Sequence, residues 1–277
     1  MVRSRFRFSF AALCAVLLCG PVAQFARAQA HIDKAWDILK KAAAESNTDK
    51  RAAGISVLGL LARNADAQAM AEKALSDEKP VVRVAAANAL GAMEARSAAP
   101  ALKNAIQDKD VSVVLAAAHA LFVLKDPSAY DVYYAVLTGE KKSGEGLVGE
   151  QKKMLSDPKK MAKLGFEQGI GFIPFAGLGL DALGMLTKDD ASPVRAAAAK
   201  ILTTDPDPKS GEALVEAAFD KSWIVRAAAL DAIAQRDDYT LGPRIEAGMD
   251  DGTEQVRYIA AAAVIHLQDV RSSKAGK

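Results

Sequence analysis

The side chains in this sequence best placed to do chemistry are carboxylates and guanidinium groups held at a constant spacing. Glu45, Asp77, Asp189, Asp220 and Asp251 each precede an arginine by six positions, namely Arg51, Arg83, Arg195, Arg226 and Arg257; a sixth acid, Asp108, stands at the same step before Val114. Such pairs shift one another's protonation, which is how catalytic acids and bases are tuned, but a pair written out again and again along a chain is a structural device. The other reactive groups are sparse. His31, His119 and His266 are far apart, the cysteines are Cys14 and Cys19 alone, and no H-E-x-x-H, G-x-S-x-G, Walker or calcium-loop pattern accompanies them. Gly177-Leu178-Gly179 lacks the third glycine and the preceding strand of a dinucleotide fingerprint. The expectation is a protein without catalytic residues, metal or cofactor.

The elements carrying these residues repeat. Taking Arg51, Arg83, Val114, Arg195, Arg226 and Arg257 as anchors, successive separations are 32, 31, 81, 31 and 31 residues. Six copies of one unit are therefore present, with extra chain between the third and the fourth, and a period of this length marks a stacked array. Within a unit, valine precedes the anchor in five of six copies, a small residue follows it by three and an aliphatic one by seven, as in Val82, Ala86 and Leu90. These positions share one face of a helix. Twelve residues before the anchors, Leu39, Ala71, Leu102, Leu183, Leu214 and Ile245 belong to an earlier helix, so each unit is a helical hairpin with its acid in the turn. The fold class is all-α, a solenoid of helical hairpins with a mid-chain insertion.

The segments VVRVAAANALGAM (81–93), PVRAAAAKIL (193–202) and IVRAAALDAI (224–233) resemble HEAT repeats, in the short form named after phycobiliprotein lyases. The resemblance covers residues 32–128 and 176–270. It implies that turn acid and second-helix arginine form a ladder along the solenoid, assigning Asp77 and Arg83, Asp189 and Arg195, Asp220 and Arg226, and Asp251 and Arg257 to structure, with a break at Val114. The iron-binding HEAT-like hydroxylases carry His–Glu pairs in their repeats, and this sequence has none. The resemblance further implies a scaffold for protein–protein interaction; the competing readings are a membrane-surface adaptor and a lyase-like protein that seats a chromophore or similar ligand.

One, five and eight residues past each anchor, the second helix turns its side away from the core, and these positions are expected to line a groove. Leu115, His119 and Phe122 form its largest apolar group, with Asn88, Lys200, Asp231 and Tyr258 along the same floor. An apolar anchor with polar flanks is the anatomy of a binding hot spot, so a protein partner is expected there.

Residues 1–30 read as a secretory signal peptide, with Arg3, Arg5 and Arg7, then an apolar stretch, then Ala28-Gln29-Ala30 for cleavage after Ala30. Both cysteines would leave with it, and the net charge of +2 would become −2, since four arginines and no acids are removed. Nucleic acid is then not an expected partner; the expected location is the periplasm or the exterior. The remaining divisions are repeats 1–3 (31–128), a degenerate repeat and Gly-rich apolar insertion (129–175), repeats 4–6 (176–270) and a disordered tail (271–277). Between 141 and 186, lysines such as Lys152 and Lys153 precede an apolar run containing Phe172 and Phe175, which is too short to span a bilayer. It is expected either to plug the gap between repeats or to touch a membrane surface.

Overall fold

A computed structural model describes residues 11–138 and 192–276. Helix α1 (Ala11–Ala43) is followed by α2 (Thr48–Ser56), which tightens into a 3-10 turn at Val57–Leu60, and then by α3 (Ala65–Ala74) and α4 (Pro80–Ala92). Next come α5 (Ala99–Ala105), α6 (Val111–Val123) and α7 (Ser128–Thr138). The later part holds α8 (Ser192–Ile201), α9 (Pro208–Ala217), α10 (Trp223–Gln235), the short α11 (Gly242–Ile245) and α12 (Glu254–Ala275). No strand occurs among the described residues. No helix among them is long and apolar enough to cross a membrane.

Local chemistry sets the boundaries. Asn47, Asn64, Asp110 and Asp207 cap α2, α3, α6 and α9 by accepting backbone N–H groups, and Pro80 and Pro208 open α4 and α9. Four second helices end on a residue in the left-handed region: Arg63 (φ 64°), Glu94 (51°), Lys125 (61°) and Asp237 (55°). After α4, the Glu94 N–H reaches Gly91 O and the Ala95 N–H reaches Leu90 O, satisfying carbonyls that the helix leaves open.

The anchored register puts the expected residues inside. Val82, Ala86, Leu90, Leu121, Ala229 and Ile233 are completely buried, as are Leu39, Ala71 and Leu102 from the first helices. Close approach depends on small side chains: a Cβ on Gly54 would lie 2.5 Å from that of Ala42, so only glycine lets α1 and α2 touch there. Ala198 departs from the pattern, being exposed although its equivalents are buried, whereas its neighbour Ala199 is buried.

The stacking order is not the chain order. In the first half α4 lies between α2 and α6; in the second, α10 lies between α8 and α12. The two rows meet where α12 packs along α1 and touches α2 and the turn at Val57–Leu60. Numbering the units by their anchors, the array runs 4-5-6-1-2-3 in space, and the chain passes from unit 3 to unit 4 through residues 139–191, outside the described part. α7 packs on the outer side of unit 3. The expected tail is corrected in part, since α12 continues as helix through Ala275.

Candidate interaction surface

The acid–arginine ladder exists, and its register corrects the expected pairing. Arg51, Arg83, Arg195 and Arg226 each bind the carboxylate of the next unit, not of their own. Arg83 donates to Asp108 through Nε and Nη2, both at 2.7 Å, while its Nη1 reaches the main-chain carbonyls of Asp77 and Glu78 and not the Asp77 carboxylate. Arg226 does the same with Asp251 at 2.7 and 2.8 Å and with Asp220 O, and Arg51 pairs with Asp77 at 2.8 and 3.1 Å. Arg195 meets Asp220 at 3.0 Å. The acids also brace their own turns, Asp77 accepting from the Lys79 N–H, Asp108 from Asp110, Asp220 from Ser222 and Asp251 from Thr253. Asp77 is held below the usual carboxylate range first by the Arg51 hydrogen bond, against its partial burial. Asp189 lies outside the described residues.

There are thus two ladders, 1-2-3 and 4-5-6, and the interruptions have reasons. Val114 is buried with Ala118 against Val132 of α7, an apolar neighbour that an arginine would leave unpaired. At the joint between units 6 and 1, Arg257 donates to Asp251 O of its own turn at 2.7 Å and approaches Glu254 at 3.6 Å. Contacts that cross the joint run the other way, as from Lys50 of unit 1 to Glu254 of unit 6 at 2.8 Å.

The expected groove divides. His119 and Phe122 are exposed, Leu115 and Asn88 half-buried and Lys200 exposed, all compatible with a surface. Asp231 and Tyr258 are not: both are at least 95% buried, at 4% and 5% relative exposure, on the helices α10 and α12 that also meet the turn at Val57–Leu60. Burial pushes the Asp231 carboxyl up to about 6, against a hydrogen bond from Gln235 and the field of Lys200. Its Oδ1 has no hydrogen-bond partner among the described residues.

What remains open is aromatic. Phe122 is 48% exposed, Tyr130 60% and Tyr133 36%, and the phenylalanine ring makes edge-to-face contacts with both tyrosines, centroids 6.1 and 6.3 Å apart. These contacts between α6 and α7 order three rings at the surface. The groove positions could not reveal Tyr130, which sits on α7; the available signal was Tyr130, Tyr133 and Tyr134 crowded into five residues. Among the described residues, no group of three His, Cys, Asp or Glu side chains could hold a metal ion.

Stacked helical hairpins, zipped by repeated Arg–Asp rungs, define an α-solenoid. The sequence matches the family of HEAT repeats over residues 37–122 and 180–265, more than half of its length, and the chain belongs to that family. Among solved structures it is similar to the complex of CpcE and CpcF of phycocyanin lyase from Nostoc sp. PCC7120. The identity is 21%, covering 85% of this chain and 92% of that one, with a TM-score of 0.33. No curated protein matches.

Proposed function

We propose that this protein is a non-catalytic scaffold of the bacterial envelope, exported by its N-terminal segment, that holds a protein partner through Phe122, Tyr130 and Tyr133. The ordered, exposed aromatic trio carries the reading: large rigid rings held open to solvent are the side chains that dominate binding energy at protein interfaces. His119 and Lys125 supply polar flanks on the same helix end. The N-terminal arginines, apolar stretch and Ala28-Gln29-Ala30 support export.

The tests separate the two parts. Capture from envelope extract should be lost in the double variant Phe122→Asp, Tyr130→Asp while its circular dichroism and melting temperature stay close to wild type; loss of fold together with capture would place the rings in the core and overturn the reading. The intact mass of the exported protein should begin at His31. Retention of residues 1–30 would overturn export by a cleaved signal.

A further inference from the structure

The joint between units 6 and 1 differs from every described rung in the sense of its charges. Along each ladder a single unit gives an arginine forward and takes one with its acid, so cations and acids alternate. At the joint all the crossing polar contacts run one way. His31, Lys34, Lys50 and Asn64 belong to the first half; their partners Glu246 (3.3 Å), Asp250 (2.6 Å), Glu254 (2.8 Å) and Asp269 (2.8 Å) belong to the second. Glu246, Asp250 and Glu254 are spaced four apart and form an acidic edge leading into α12. Beneath them the joint is apolar and closely packed: Ala35, Leu39, Ala261 and Ala262 are at 0% exposure and Tyr258 at 5%.

Each crossing ion pair sets a basic side chain of the first half on an acid of the second, although Glu45 and Arg257 also border Tyr258 there; charge pairs of one sense over a small-residue core are a pattern by which two separate bodies recognise each other and disfavour copies of themselves. Two first halves would bring Lys34 and Lys50 against like charge, and two second halves would do the same with Asp250 and Glu254. The described chain leaves the first half at α7 and enters the second at α8, both at the ends of the array away from α1 and α12.

We infer that residues 31–138 and 192–276 are two half-arrays held together by a hetero-specific docking interface, and that the partner of the basic face of units 1 and 2 is an acidic, α12-type edge, supplied here by the same chain. The interface holds without the covalent connection.

The test uses the whole protein with a protease site placed between residues 140 and 147, cut after folding. The cut wild type should elute from gel filtration as one particle at micromolar concentration. Reversing Lys34→Glu and Lys50→Glu should weaken the cut pair at least ~10-fold and release two peaks, and adding Asp250→Lys and Glu254→Lys should restore co-elution. The uncut variants, checked for helical content, show that each sequence folds. Separation or precipitation of the cut wild type would overturn the inference. So would a charge-reversed cut protein that stays as tightly joined as wild type, or a failure of the compensating pair to restore it.

Discussion

Arg226 and Asp231, five residues apart on α10, show how differently the same medium treats a satisfied charge and an unsatisfied one. Arg226 fills its fork with Asp251 and the Asp220 carbonyl, and truncating it leaves the Asp251 carboxylate part-buried without its main partner. Arg226→Ala should destabilise by about 2 to 4 kcal/mol in chemical denaturation. Asp231 has one oxygen without a partner among the described residues, and burial pushes its carboxyl up to about 6. Because its folded value is the higher one, the unfolded chain ionises first as pH rises from 4 to 6, and stability falls across that window. Above pH 6 the cost is complete, up to about 3 kcal/mol. Asp231→Asn should therefore raise the denaturation midpoint at pH 7.5 and barely change it at pH 4. The ladder acids have the opposite sign: the depressed Asp77, Asp108 and Asp251 contribute stability that is present above pH 4 and lost as pH falls below it. Acid titration of the Asp231→Asn protein should retain this lower limb and lose the upper one.

At the scale of the helix, the repeat spacing located the anchored core face, because a one-sided apolar face is a local property that 3.6-residue periodicity reports, but it placed Ala227, Ala234, Ala262 and Ile265 in the groove, where they are buried. Leu90→Ala should cost about 2 to 5 kcal/mol, the range for emptying a fully buried leucine site. Helix ends were less legible. Glu94 and Lys125 occupy a left-handed position where glycine is the usual signal, so nothing in their chemistry announced a terminus. Relief of that strain is measurable: Glu94→Gly should stabilise the protein by about 0.5 to 1 kcal/mol, although glycine elsewhere in a helix destabilises. A lowered midpoint would mean that the Glu94 side chain contributes more than its backbone costs. The arginine partners were also hidden, since a carboxylate six residues back and one about twenty-five ahead are equally reachable for so long a side chain. The geometry decides for the latter because the near turn's carbonyl occupies Nη1 while its carboxylate is taken by the preceding unit.

For the whole molecule, sequence periodicity carries the number of units and not the order in which they stack, since every unit offers its neighbour the same apolar face. The clues to the closed joint were departures from pattern, Glu45 in place of aspartate and Arg257 with no acid ahead of it in the sequence. The joint's apolar packing and ion pairs are expected to couple the halves energetically. Trp36 stands on α1 and Trp223 on α10, one in each half, so single-tryptophan variants Trp36→Phe and Trp223→Phe should report one coincident melting transition. Combining either with Lys34→Glu and Lys50→Glu should separate the two curves. Two curves already distinct without the charge reversals would show that the joint transmits little free energy.

The contacts at this joint also fix an order in time. Lys34 and Asp250 are 216 residues apart, and Asn64 and Asp269 are 205, whereas each Arg–Asp rung closes over about 25. Hairpins and rungs can form while the chain is still emerging; the face of α1 around Ala35 and Leu39 has to wait for α12, the last of the described helices. Loops of such length close late, so during synthesis the first unit made is the last one finished, and a chain stopped before Glu254 would carry that apolar face uncovered, a ready substrate for chaperones and proteases.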